Sequence, residues 1–326
     1  MFGGVGLIFF DTNAYIVSVL HVLNNLIIKK SKPLIILRLY GGIGNQLFSY
    51  AAALRLSLNN QVPLYIDTRS GFIRDVVYKR KYRLNAFEIT CKKSIWAEVY
   101  CIFLVAISKI VECRDTNEPL ENRIWIKQDK IEFDKSILTV KIKHPIVFEG
   151  YWQSEKYFLD IESRVRSEFS FVKEYNVAIT EVCKNITFPS AVAIHVRHFN
   201  DPTHPQKGNI SEEYYVKAIK YFSDLIPNVC FYIFSDQPAK VRERFFSQKH
   251  NTVLVTEYFN DGDEIKELCL MSRFKHFIIG NSTFSWWGAW LSKELEKIVL
   301  VSDEKIISGE GSWGFDGLIP EKWIKI

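Results

Sequence analysis

Three stretches of this 326-residue chain place glycine, charge or hydroxyl groups where an apolar run stops. The first is Gly41-Gly42-Ile43-Gly44-Asn45-Gln46, between the apolar run Leu34 to Tyr40 and the Ala- and Leu-rich stretch Leu47 to Leu58. At a strand-to-helix junction, glycines let the backbone approach a phosphate, and the helix start supplies unpaired N–H groups and the positive end of a dipole. Gly42, Gly44, Asn45 and Gln46 are therefore candidate anion-binding positions; a plain tight turn is the alternative. Leu47 occupies the third glycine position of a dinucleotide fingerprint, and no Lys-Ser/Thr pair follows as in a Walker A loop.

The second stretch is His195-Val196-Arg197-His198, followed by Asp201, at the end of the apolar run from Ala191. Ligands of open α/β sheets bind at the carboxyl ends of strands. His195 and Arg197 alternate with apolar residues and so share a face, whereas His198 takes the other. An arginine there offers a planar donor fork suited to a diphosphate, or to a local carboxylate. The third stretch, Asn281-Ser282-Thr283-Phe284-Ser285, follows the run His276 to Gly280 and opens a Trp-rich segment. Asn281, Ser282, Thr283 and Ser285 can form an anion cradle at a helix start, or simply cap it. The tryptophans read as core. Glu267 stands on the preceding helical stretch. A carboxylate can accept from two adjacent N–H groups of guanine, but spacing alone favours a solvated helix residue.

The elements needed to position these groups follow from hydrophobic patterning. Strands are expected at Leu34–Tyr40, Val62–Asp67, Ala191–Arg197, Val229–Asp236, His276–Gly280 and Lys297–Ser302. Helices are expected over Leu47–Leu58, Ser94–Ile110, Ser211–Leu225, Asp263–Ser272 and Phe284–Leu295. Strand–helix alternation in two series predicts an α/β chain with two Rossmann-like domains facing a cleft. The expected division is an N-terminal half over residues 34–185, carrying the glycine loop, and a C-terminal half over 186–326, with the linker between Ser167 and Pro189.

The chain is 48% apolar and 14% aromatic, which suits one or two sizeable cores and argues against disorder. A net charge of +5 fits an anionic small ligand or membrane surface and is too weak to argue for nucleic acid. None of the six cysteines forms a C-x-x-C pair, so no zinc signature is present. Asp261-Gly262-Asp263 has the D-x-D form of metal-dependent sugar transferases, but it sits in a turn-like stretch. His144, His204, His250 and His276 show no ligand-like grouping, and no bound metal is expected. Val5 to Ile28 is apolar but interrupted by polar residues, and it lacks a basic n-region and a cleavage site. Residues 1–33 are expected to be an extension. It is peripheral or poorly ordered or, less simply, spans a bilayer; a wrongly chosen start codon would also account for it.

Together, the segments RLYGGIGNQLFSYAAAL, Glu149–Phe158, HVRH, Phe234–Asp236, LMSRFKHFIIGNSTFSWWGAWLS and Pro320–Trp323 resemble the bacterial α-1,2-fucosyltransferases of glycosyltransferase family 11. The resemblance runs from Leu34 to the C-terminus and implies a GT-B fold. The family's histidine motif is H-x-R-R-x-D. Here His198 replaces the second arginine, Asp201 falls one residue late, and Arg197 is retained. The implied activity is inverting transfer of L-fucose from GDP-fucose, a co-substrate, to a galactoside hydroxyl during surface polysaccharide synthesis. Arg197 would hold the donor β-phosphate, Glu267 would read guanine, and Asp201, Glu155 or His198 would serve as base. The implied acceptor is a galactose-terminated oligosaccharide or lipid-linked glycan. The implied location is cytoplasmic, at the inner membrane face if the protein associates with it. Two other readings stand beside this one: a sugar-nucleotide-binding protein without turnover, from the altered HVRHFND string, and a nicotinamide-dependent oxidoreductase, from the glycine loop alone.

Overall fold

The computed structural model describes residues 31–73, 75–76, 78–110, 118–199, 208–245, 251–259, 263–306 and 311–326. Asp201, His204, His250, Asp261 and most of the N-terminal extension lie outside the described residues. Among the described residues, no helix is long and apolar enough to cross a membrane.

The first half contains β1 (Leu34–Arg38), α1 (Ile43–Asn60), β2 (Leu64–Asp67), β3 (Lys92–Lys93), α2 (Ile95–Ile110), β4 (Trp125–Lys127) and β5 (Pro145–Glu149). Its five strands are all parallel, in the order β3-β2-β1-β5-β4. The chain leaves β1 toward β2 on one side and returns through β4 to place β5 on the other. Neighbouring crossovers therefore diverge between β1 and β5, which opens a crevice at their carboxyl ends.

Three short helices follow: α3 (Glu162–Glu168), α4 (Lys173–Ala178) and α5 (Thr180–Lys184). The expected linker is thus largely helical. It is also fastened to the second half, since the Asn176 side chain accepts a hydrogen bond from Arg273.

The second half contains β6 (Ala191–Val196), α6 (Glu212–Leu225), β7 (Cys230–Ser235), α7 (Pro238–Phe245), β8 (Asn251–Leu254), α8 (Glu264–Met271), β9 (His276–Ile279), α9 (Thr283–Leu291), β10 (Ile298–Val301) and β11 (Ile324–Lys325). The sheet is parallel in the order β11-β10-β9-β6-β7-β8, so its switch point lies between β6 and β9. β6 is buried along its whole length, as a central parallel strand covered on both faces must be. Ser211 caps α6 by accepting from the Tyr214 N–H, which is why that helix starts where the Ser-Glu-Glu sequence suggests.

The halves are joined by an aromatic core. Phe48 of α1 packs on Trp286 and Trp287 of α9, with ring centroids 4.4 and 4.9 Å apart, and Phe158 stacks on Trp287. All three tryptophans of α9 are buried. The C-terminal segment also bridges the halves: the Trp286 indole donates to the Leu318 carbonyl and the Ser154 hydroxyl to the Gly317 carbonyl.

Candidate active site

The two switch points open onto one cleft of about 1230 Å³, large enough for a nucleotide sugar and part of an acceptor. Turns after β1, β5, β6, β7 and β9 contribute to its wall.

The glycine turn and the hydroxyl turn meet here. Gly41 adopts φ +80°, a left-handed conformation that glycine takes without steric cost. Gly42 caps α1 with no side-chain hydrogen bond and no acid in the first turn, leaving that turn's N–H groups without intrahelical partners. A Cβ on Gly44 would lie 2.5 Å from the Thr283 carbonyl carbon, so Gly44 is required for α1 to approach the start of α9. Two positive helix ends consequently converge on one spot, an anion-binding arrangement. Ser282 caps α9 by accepting from the Phe284 N–H.

Arg197, at the end of β6, lines the cleft half-buried and pairs with Asp236 at 3.0 Å. Both readings of this arginine thus meet: it has a local carboxylate and still faces the cleft. His195, two residues earlier, is 5% exposed. Burial, reinforced by Arg197 and His198, pushes its imidazole down to about 3, so the ring is neutral at physiological pH. Its Nδ1 has no hydrogen-bond partner among the described residues. On α8, Glu267 also lines the cleft. Burial, followed by repulsion from Glu264, Asp236 and Asp263, pushes its carboxyl up to about 7.

Of the other expected site residues, Asn45, Gln46, Asn281, Ser282 and Thr283 also line the cleft, whereas Ser285 and His198 do not. The Gln46 amide is buried and donates to the Gly41 and Lys81 carbonyls while accepting from the Arg83 N–H, so it holds a neighbouring loop. Asn45 accepts from the Gln153 amide at 2.8 Å. The Asn281 amide donates to the Gly208 and Gly311 carbonyls, tying two glycine turns together. Ser285 is fully buried and donates to the Ser282 carbonyl. His198 is not among the cleft-lining residues; its backbone N–H donates to Asp236. Glu155 also lies outside the lining and accepts from the Trp290 indole at 3.1 Å through one of its two oxygens. Asp263 caps α8 through the Ile265 N–H, and no group of three metal-ligand residues occurs among the described residues.

The family model for Glycosyl transferase family 11 matches residues 104–305. The chain belongs to this family and is a glycosyltransferase. It is 27% identical over 304 residues to an Alpha-1,2-colitosyltransferase of Escherichia coli, covering 90% of this chain and 99% of the relative. It is 28% identical over 316 residues to the O-antigen biosynthesis glycosyltransferase WbnK of Escherichia coli, covering 88% and 99%. Among solved structures it resembles an Arabidopsis thaliana FUT1 mutant in complex with GDP, with TM-score 0.51 and 9% identity over 83% of this chain and 70% of that one. It also resembles POFUT1 in complex with GDP-fucose, with TM-score 0.50 and 11% identity over 82% of this chain and 98% of that one. These likenesses are of fold, and the fold is GT-B-like, as the family resemblance implied.

Sequence reasoning overlooked several cleft-lining residues of this glycosyltransferase. Tyr151 and Gln153 follow β5, whose place beside β1 is set by topology. Asp236 directly follows β7, and Thr256 and Phe259 follow β8. Lys79, Arg80, Lys81 and Arg83 come from one loop of the first half. That loop had a visible signal, four cations in five residues broken only by Tyr82.

Proposed function

We propose that this glycosyltransferase moves L-fucose from GDP-fucose to a galactoside hydroxyl in an α-1,2 linkage, with inversion, during O-antigen assembly. The observation that carries the reading is the convergence of two helix N-termini and Arg197 on one cleft whose wall also bears Glu267. The helix ends and Arg197 suit a diphosphate. A carboxylate at Glu267 suits the paired N–H groups of guanine. GDP-fucose and GDP are named with structures of the same fold, and O-antigen biosynthesis with a relative of similar length.

In this mechanism the acceptor hydroxyl attacks the anomeric carbon as the bond to the β-phosphate breaks, through a transition state of oxocarbenium character. Negative charge grows on the leaving phosphate. Arg197 and the first-turn N–H groups of α1 and α9 offset it in a fixed, largely desolvated geometry. Of the bases named from the sequence, Glu155 and His198 stand outside the cleft lining, which favours Asp201 for the acceptor proton. Arg197 takes the place a cation would otherwise hold, so the reaction proceeds without metal. The acceptor is a galactose-terminated or lipid-linked glycan, with the enzyme in the cytoplasm or at the inner membrane face.

The test is GDP release from GDP-fucose with a panel of galactosides, together with thermal shifts by GDP and UDP. Turnover on a β-galactoside and stabilisation by GDP but not UDP are expected. Equal stabilisation by UDP refutes the guanine assignment. A second donor is favoured by the colitosyltransferase relative, so GDP-colitose belongs in the same assay.

A further inference from the structure

Among the described residues, the loop around Arg80 is a strongly cationic part of the cleft wall that the mechanism above does not use. Lys79, Arg80, Lys81 and Arg83 all line the wall. Arg83 pairs with Glu264 at 3.4 Å across the cleft. Among the described residues, the Arg80 ion pair is a long contact of 3.9 Å with Asp75, with Glu264 a further nearby carboxylate, and its guanidinium lies 4.1 Å from the Tyr78 ring centroid. A guanidinium over a ring keeps its in-plane N–H groups available to an acceptor.

The position of that guanidinium is informative. Its Nε lies 4.0 Å from where a Cβ on Gly42 would stand, beside the uncapped start of α1. The start of α9 touches α1 one residue further along, at Gly44. A cation is thus held beside two positive helix ends, with the Asp75 carboxylate 3.9 Å from it, a local field that favours a further anion at the helix starts. The loop is held there by design of its contacts. Gln46, immediately after the glycine turn, binds the Lys81 carbonyl and the Arg83 N–H. Lys79 adopts φ 51°, a conformation that non-glycine residues rarely take. Independently, His195 stands in the same cleft wall, and its buried Nδ1 has no hydrogen-bond partner among the described residues.

We propose that Arg80 is a second phosphate-binding arginine of the cleft, contributed by the first half and acting with Arg197 of the second. Its ligand is a phosphate oxygen, of the nucleotide-sugar diphosphate or of a phosphate on a lipid-linked acceptor. The assignment of these two sources rests on the function proposed above; the phosphate chemistry rests on Arg80, Gly42 and Gly44.

Titrations of inorganic pyrophosphate, GDP and guanosine into the wild-type chain, Arg80→Gln and Arg80→Lys test this, with melting temperatures measured to establish folding. If the donor diphosphate is the ligand, Arg80→Gln weakens pyrophosphate and GDP about tenfold or more and leaves guanosine unchanged, with Arg80→Lys intermediate. If the acceptor phosphate is the ligand, GDP affinity holds. In that case KM rises about tenfold for a polyprenyl-diphosphate-linked galactoside but not for a neutral methyl galactoside. A folded Arg80→Gln that matches the wild type for pyrophosphate, GDP and both acceptors overturns the proposal. So does an equal loss of guanosine affinity, which would make the loop a shaping element only. Should the wild type prefer UDP to GDP, the guanine reading fails, and the pyrophosphate titration still decides the role of Arg80.

Discussion

Glu267→Gln should separate the stability of this protein from its nucleotide recognition. Burial, and then repulsion from Glu264, Asp236 and Asp263, pushes the Glu267 carboxyl up to about 7 from its ordinary 4.5. The difference corresponds to about 3 kcal/mol against the ionised form, reduced to between about 1 and 3 kcal/mol by its partial exposure. The sign follows from proton counts. Between about pH 4.5 and 7 the folded chain holds this proton while the unfolded chain has lost it, so the group lowers stability as pH rises through that window. Below the window it contributes nothing, and above 7 the full cost is present. Glu267→Gln removes the cost, so at pH 8 the apoprotein should melt a few degrees higher than the wild type, and the gap should close at pH 4.5. Binding should move the opposite way. A carboxylate paired with two guanine N–H groups contributes about 1–3 kcal/mol, so guanosine affinity should fall about 10- to 100-fold in the variant. Guanosine has no phosphate to titrate, so its wild-type affinity should rise about tenfold from pH 6 to pH 8 as the carboxyl ionises, and should stay flat in the variant. Calorimetric titration and thermal melts across pH measure both. A variant that binds guanosine as the wild type does, or that is no more stable at pH 8, refutes the placement of Glu267 against the base.

Arg197→Lys keeps the charge but loses the fork, and it should lower kcat/KM on the order of 10²-fold. His198→Ala should cost less, because His198 does not line the cleft; steady-state kinetics on folded variants compare the two. Gly44→Ala drives a methyl to 2.5 Å from the Thr283 backbone and should destabilise the fold by about 1–3 kcal/mol or more, read as a lowered melting temperature and lost GDP binding. Activity should survive EDTA; loss of turnover restored by magnesium or manganese would return Asp261 and Asp263 to consideration as ligands.

Local sequence carried much of the architecture of this chain. The apolar run Ala191–Val196 became a central strand because every residue in it tolerates burial on both faces. The Asn281–Ser285 turn became a helix start because Ser282 can cap it, and Arg197 reached the cleft because it ends its strand. Gly44 was legible as a residue that allows close approach, though the partner approached was not. Tertiary structure alone decided that the switch points between β1 and β5 and between β6 and β9 open onto the same cleft. Parallel strand order is set by crossovers that span tens of residues, and β5 and β8 carry no local sign of their neighbours. It also decided which polar side chains face the cleft. Gln46, Asn281 and Ser285 look alike as candidate ligands in sequence, yet only Gln46 and Asn281 line the cleft, and the donors of all three hold backbone carbonyls that only the folded chain brings within reach. Glu155 stands in a segment of the family resemblance, and the packing of Trp290 beside it, which sequence does not show, gives its half-buried carboxylate an indole donor. A side chain's chemistry is written locally, but its partner is chosen by whatever long-range packing puts next to it.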